Sequence, residues 1–131
     1  KVKSRYVTAL MHMFSLLQYP LTNVYPRMAS IELGYLMENG AVIYDYSTKK
    51  WSIDFQKIPN VIASLARHVA TIQLTGDFDS AKSLVQKYIT EKNDKDYELN
   101  ELLRIPILTL KEQFKEKGLK SIAISYEIKG L

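Results

Sequence analysis

Hydrophobic side chains recur at helical spacing through residues 58–89, with polar side chains between them. Five apolar residues share one face of a first predicted helix: Ile58, Ile62, Leu65, Val69 and Ile72. A second helix follows the break at residues 75–77, because Gly76 can end a helix in the left-handed conformation and Asp77 can cap the next one. We therefore expect a helical hairpin with a core of its own.

Two more helices precede this hairpin. Residues 4–18 carry an apolar stripe, and Pro20 follows as a stop. Residues 26–39 carry a second stripe, and Gly40 ends it. Each of these segments is predicted to be a helix with one apolar face.

The last third of the chain gives mixed signals. Residues 91–96 are polar and are predicted to be a connection, after which residues 96–104 form a short helix. That helix should close before Pro106, because the residue before a proline is biased away from helical geometry. Residues 105–108 are then expected to be an extended apolar segment.

Three segments follow the pattern of strands. Residues 41–46 and 51–55 are rich in β-branched and aromatic side chains and flank a polar turn, which predicts a β-hairpin. Residues 121–128 alternate isoleucine and tyrosine with smaller or polar residues, as a C-terminal strand does. The expected fold is therefore mainly α (α+β): a bundle of about five helices with one β-hairpin and a C-terminal strand, in a single domain over residues 1–131.

Three aromatic residues of this hairpin allow two interpretations. Tyr44, Tyr46 and Trp51 can stack on a ligand, or they can form cross-strand pairs that anchor the hairpin. The second interpretation is favoured, because a two-stranded hairpin is marginal in water and must pack on something.

Composition narrows the classes of protein. The chain has 131 residues, 47% of them hydrophobic, which is enough for one domain with a core. Its 18 basic and 14 acidic residues are spread along the chain, so we expect no nucleic-acid partner. No apolar run approaches the roughly 20 residues of a membrane span, so no membrane association is expected. The absence of cysteine fits a reducing, cytoplasmic location, and the first residue, Lys1, suggests a C-terminal fragment of a larger protein.

The sequence offers few groups for catalysis. The two histidines, His12 and His68, are far apart and belong to no zinc-binding motif, so we expect no metal, no cofactor and no catalytic residue in this chain. Neither a nucleophile turn nor a glycine-rich phosphate loop is present. Arg67 and His68 can form an anion-binding pair, although an exposed polar patch is the favoured interpretation.

Three segments resemble a known family in order and spacing. They are residues 35–41 (YLMENGA), 51–58 (WSIDFQKI) and 72–88 (IQLTGDFDSAKSLVQKY). They are similar to the C-terminal end of the dipeptidyl peptidase III (M49) family of zinc metallopeptidases, and most to the branch in which that region follows a Nudix hydrolase domain. The resemblance extends over residues 6–106, and none of its motifs is catalytic.

The resemblance implies a helical C-terminal portion that packs behind the metal-bearing lobe of a larger enzyme. The zinc ligands and the general base of the family would lie upstream, in the parent protein. The family's substrate-contacting histidine and arginine fall at Tyr25 and Ala29, so neither is retained, and Arg27 lies close by but out of register. Tyr25 and Arg27 are the substrate-binding candidates that the resemblance offers.

Two functions remain open. The chain is a non-catalytic helical domain of a dipeptidyl-peptidase-III-like or Nudix-fused protein, or it is a stand-alone protein–protein interaction module without enzymatic activity. Whether the parent is a zinc metallopeptidase or a Nudix hydrolase is left open. The expected partners are the remainder of the parent chain and a peptide ligand. If a lobe is missing, an apolar face should lie open around four residues of the first two helices and favour self-association: Phe14, Leu17, Tyr25 and Tyr35.

Overall fold

The computed structural model describes residues 2–93, 96–117 and 127–129. Within them the chain forms five helices and five strands in an α+β arrangement that is mainly helical, as predicted. The helices are α1 (Val2–Leu17), α2 (Val24–Glu38), α3 (Ile58–Thr75), α4 (Phe78–Gln86) and α5 (Glu101–Lys117). The strands are β1 (Val42–Asp45), β2 (Lys50–Asp54), β3 (Ile89–Asn93), β4 (Asp96–Leu99) and β5 (Glu127–Lys129).

The first β-hairpin forms a sheet with the last described strand. β1 and β2 pair antiparallel, and β5 adds to β2 in parallel, so that β2 is the central strand. This confirms the predicted hairpin. Of the predicted C-terminal strand, residues 127–128 lie in β5, whereas residues 121–126 lie outside the described residues.

The main core lies between α1, α2, α5 and the first hairpin. Trp51 is 1% exposed, and its ring centroid lies 4.8 Å from that of Phe14 and 4.9 Å from that of Tyr44. Tyr44 also contacts Tyr46 edge to face at 5.0 Å. These rings anchor the hairpin on α1, which agrees with the packing interpretation of the aromatic residues.

The helix junction at residues 75–77 follows the predicted chemistry. Gly76 adopts a left-handed conformation (φ 64°) and its N–H donates to the carbonyl oxygen of Ile72. The Asp77 side chain then caps α4 by accepting a hydrogen bond from the backbone N–H of Ser80 at 3.0 Å. Both ends are satisfied by local groups, so the break needs no tertiary support.

The expectation that this helical hairpin has its own core is wrong. Ile58 is the buried residue of α3, and α4 has none among its described residues. Leu74 and Phe78, beside the junction, are 88% and 85% exposed. Ile62 and Val69 of the predicted α3 face are exposed as well.

A second hairpin replaces the predicted polar connection and the start of the helix predicted at residues 96–104. α4 ends at Gln86, and β3 and β4 pair antiparallel. Tyr88 and Ile89, expected at the end of a helix, are 1% and 2% exposed and belong to the core. The strand was missed because the residues after Ile89 are charged or polar and give no apolar alternation.

The predicted stop before Pro106 is also wrong, because α5 runs through that proline. Asn100 caps the helix by accepting a hydrogen bond from the N–H of Leu103 at 3.1 Å. Leu103, Ile107 and Leu110 share one helical face and are all at most 2% exposed. Burial of this face outweighs the one backbone hydrogen bond that a proline cannot donate.

Candidate functional site

The beginning of α2 presents the residues that the family resemblance marked for substrate binding. The side chain of Asn23 caps the helix by accepting a hydrogen bond from the N–H of Tyr25 at 3.0 Å. Tyr25 is 62% exposed, and Pro26 in the first turn is buried. Ala29, at the family's arginine position, is 3% exposed and belongs to the core.

Arg27 is held by an aromatic residue of the second hairpin. Its Nη1 donates a hydrogen bond of 2.7 Å to the hydroxyl oxygen of Tyr97. Its Cζ also lies 4.5 Å from the centroid of the Tyr97 ring, which is cation–π geometry. The Nε of Arg27 is buried without a hydrogen-bond partner in the described part of the chain.

Arg27 lines a cavity of about 330 Å³ between α2, α4 and the second hairpin. Its walls combine short apolar side chains with two cations and one carboxylate: Arg27, Ala81, Lys82, Val85, Gln86, Ile89, Glu91 and Tyr97. The cavity can therefore hold a small molecule that has both an apolar part and a charged part.

Tyr25 does not share this cavity. It borders a smaller space of about 190 Å³ between α1 and α2, together with His12 and Glu32. The two candidate residues are two positions apart on the helix and therefore project from different faces. The structure does not bring Tyr25 and Arg27 together.

A larger groove of about 520 Å³ lies between α1, α2 and α3. Most of its lining is apolar: Ala9, Met13, Glu32, Leu36, Ile62, Leu65, Ala66, Val69, Ala70 and Gln73. Ile62 and Val69 are 46% and 38% exposed. Burial raises the pKa of the Glu32 carboxyl at its edge, and the nearby charge of His12 acts in the opposite direction.

This groove corrects the predicted position of the open apolar face. Phe14 and Leu17, which were expected to be uncovered, are 0% and 1% exposed and lie in the core. Tyr35 is half-buried, and its hydroxyl is hydrogen-bonded to the Ser64 hydroxyl at 2.7 Å. Tyr25 is exposed, as expected, and the α3 side of this groove is a further open apolar surface.

A polar cluster joins the end of α2 to the end of α4. The hydroxyl of Tyr88 donates a 2.6 Å hydrogen bond to Oε2 of Glu38, and Nζ of Lys87 lies 2.7 Å from Oε1. The Lys87 and Tyr88 hydrogen bonds lower the pKa of Glu38. Burial, followed by the Glu38 hydrogen bond, raises the pKa of Tyr88. Glu38 is therefore ionised at neutral pH, and the single O–H of Tyr88 is used in its hydrogen bond to Glu38.

The two histidines lie on different surfaces. His12 is exposed on α1, and His68 is exposed on α3 beside a cleft of about 400 Å³ that also contains Lys87. Arg67 is exposed as well, which agrees with a polar patch at residues 67–68. No three His, Cys, Asp or Glu side chains converge on a metal position within residues 2–93, 96–117 and 127–129. None of the helices in that part is long and apolar enough to cross a membrane.

The sequence pointed to Arg27 but not to its surroundings. Arg27 and Tyr97 are 70 positions apart, and no local pattern links them. Glu91 belongs to the segment predicted to be a polar connection, and no sequence pattern singled out Lys82. The signal that was available is the aromatic Tyr97 within a charged segment, because aromatic residues are enriched in strands.

Comparisons with known proteins give one informative relative. Over 106 residues, which are 81% of the chain, the sequence is 31% identical to Nudix hydrolase 3 of Arabidopsis thaliana. The chain spans 14% of that protein's length. No family profile matches the chain, and no solved structure matches it. The comparisons thus support a likeness to a Nudix hydrolase, and they contain no match to a dipeptidyl peptidase III.

Proposed function

We propose that this chain is a non-catalytic helical domain of a larger protein related to Nudix hydrolases. In that parent it supports a substrate cleft whose catalytic groups lie elsewhere. We assign it to the part of the parent that resembles the C-terminal end of dipeptidyl peptidase III. If the parent is a zinc peptidase, its metal belongs to that other part, and the domain itself uses no cofactor.

The observation that carries this proposal is the open apolar groove between α1, α2 and α3. An uncovered surface of this kind, with Ile62 and Val69 more than a third exposed, marks an interaction site. Ala66 and Ala70 also line it, and such small side chains allow another backbone to approach closely. The relative is much longer than this chain, so the remainder of a parent is a natural occupant.

Tyr25 and Arg27 are the residues that we assign to the substrate side of the cleft. Both lie at the beginning of α2 but on opposite sides of the helix. Arg27 lines one cavity and Tyr25 borders the other. A peptide is the ligand that the family resemblance implies. In this proposal the two residues bind and orient such a ligand, and the chemistry takes place on groups of the remainder of the parent.

One observation favours the alternative, a stand-alone interaction module. Leu74 and Phe78 are among the most exposed large apolar residues described, and they lie beside the junction of α3 and α4. A partner that covers this tip would use a surface separate from the groove. Substitution at Phe78 therefore distinguishes the alternative from the main proposal.

The groove can be tested on the chain alone. We expect self-association at high concentration, measured by light scattering and sedimentation, because the uncovered groove offers an apolar surface. Ile62→Glu should abolish it. Ile105→Glu is the matched control, since Ile105 is an isoleucine of α5 with 47% exposure that does not line the groove. Phe78→Ser tests whether the exposed surface at the junction of α3 and α4 contributes to self-association.

Three outcomes would contradict the proposal. A strictly monomeric chain would argue against a missing partner, and equal effects of Ile62→Glu and Ile105→Glu would argue against the groove. Turnover of a dipeptidyl-naphthylamide in the presence of zinc, proportional to chain concentration and lost with a chelator, would show that the domain is catalytic. Self-association that responds to Phe78→Ser alone would support the stand-alone module.

A further inference from the structure

The cavity between α2, α4 and the second hairpin combines two features that recognise one class of ligand. Ala81, Val85 and Ile89 give it an apolar wall, and Arg27 and Lys82 add two cations. We propose that this cavity binds a small ligand in which a single carboxylate is joined to an apolar group. The inference extends the proposed substrate role of Arg27 and rests on that part of the proposed function.

The guanidinium of Arg27 is oriented before any ligand arrives. The 2.7 Å hydrogen bond from Nη1 to Tyr97 and the cation–π contact of Cζ with the Tyr97 ring hold the group in place. On the opposite edge, which Nε shares with Nη2, Nε is buried and has no hydrogen-bond partner within the described residues. An unpaired buried donor is costly, and the two N–H groups of such an edge match the two oxygens of a carboxylate. A ligand carboxylate would supply the missing acceptor.

Lys82 provides the second positive charge from another element. It is exposed on α4, and none of the described ion pairs involves it. Cations on both α2 and α4 can therefore face one anionic group across the cavity. A lysine at the rim adds attraction without a fixed geometry, whereas the arginine sets the orientation.

Glu91 narrows the choice of anion. Its carboxylate also lines the cavity, so a ligand meets two positive charges and one negative charge. These three side chains have a net formal charge of +1, so a phosphate dianion would bring excess negative charge into the cavity, and like charges in one site are unfavourable. A carboxylate carries one charge and avoids this repulsion.

The size of the cavity limits the rest of the ligand. A volume of about 330 Å³ is at the lower end of the range for small-molecule sites. An amino-acid-sized molecule fits it, with its apolar part on Val85 and Ile89. Ile89 is 2% exposed, so the floor of the cavity is continuous with the core.

The test uses this chain and three probes. Binding of N-acetyl-L-leucine is followed by amide chemical-shift changes, with N-acetyl-L-leucinamide and inorganic phosphate at the same concentrations. We expect saturable shifts at Val85 and Ile89 with the acid, and at least about tenfold weaker binding of the amide, since hydrogen bonds to charged groups contribute about 1.5 to 3 kcal/mol. Equal binding of acid and amide, or equally tight binding of phosphate, would overturn the proposal.

Variants assign the effect to the cavity. Arg27→Gln should weaken the binding of N-acetyl-L-leucine at least about tenfold, by the same reasoning. Lys82→Gln should weaken it less and, as an exposed substitution, should leave the fold intact. Arg104→Gln is the control, because Arg104 pairs with Glu101 outside the cavity. Equal losses in Arg104→Gln and Lys82→Gln would show general charge attraction and would overturn the site. The groove is tested separately, by the self-association of the chain. Failure of ligand binding in this cavity therefore leaves the groove proposal standing.

Discussion

Gly34 of α2 and Tyr88, which follows α4, pack so closely that no side chain fits between them. A Cβ added at Gly34 would lie 2.4 Å from Cδ1 of the Tyr88 ring. The ring is 1% exposed and its hydroxyl is hydrogen-bonded to Glu38, so it has little room to move. This close packing explains why position 34 is a glycine. At a helix position without such a contact, alanine would be more stable than glycine.

Gly34→Ala should destabilise the protein. Overpacking costs about 1 to 3 kcal/mol, and replacing a helical glycine returns about 0.5 to 1 kcal/mol, so we expect a net loss of roughly 1 kcal/mol in the free energy of unfolding. Urea denaturation measures it. The losses from Gly34→Ala and Tyr88→Leu should be less than additive, because the smaller leucine side chain relieves the overlap. An additive double variant would contradict the contact.

The ion pair of Glu38 makes a prediction about pH. Its pKa in the folded state is lowered from the ordinary value of 4.5, chiefly by the hydrogen bond from Lys87. The resulting stability is present above pH 4.5 and is lost as the pH falls through the lower folded value. Lys87→Gln should raise the Glu38 pKa, measured by carboxyl NMR titration, whereas Lys92→Gln should not, because Lys92 pairs with Glu98.

Asn100 should contribute to stability through two separate groups. Its Oδ1 caps α5, and its Nδ2 donates to the carbonyl oxygen of Lys87 at 2.8 Å. Asn100→Ala removes both and should cost about 1 to 2 kcal/mol, whereas Asn100→Asp keeps the cap and should cost less. Thermal unfolding compares the two variants. Equal losses would show that the cap contributes little.

The purified chain should contain no stoichiometric zinc. It has no cysteine and two histidines, which lie on different helices, and zinc sites in proteins use three or four such ligands. Elemental analysis after purification without chelators measures the metal content. One tightly held zinc per chain, lost in His12→Ala or His68→Ala, would prove the expectation wrong.

Local chemistry allowed much of the fold to be predicted from the sequence. Gly76 and Asp77 carry their own signals, and the helix break is where they place it. Pro106 misled the prediction because its backbone preference is local, whereas the buried face of α5 depends on elements distant in sequence. The exposure of Ile62 and Val69 was also unpredictable, since periodicity shows which residues share a face and not whether that face is covered.

The candidate site was less accessible to sequence reasoning. The resemblance pointed to the beginning of α2, but helical geometry separates Tyr25 from Arg27. The residues around Arg27 come from α4 and from the second hairpin, whose charged sequence gives no apolar alternation to predict its strands. A site assembled from three elements has no spacing rule that links its members.

The parallel pairing of β2 with β5 has a consequence for folding order. Ser52 lies opposite Glu127, so this contact joins the first hairpin to a strand that follows α5. Contacts between such distant segments must overcome a large loop-closure entropy and tend to form late. Until β5 docks, one edge of β2 has unpaired backbone groups that can pair with another chain. Deleting residues 127–129 should therefore make refolding prone to aggregation through β2, even if every helix still forms.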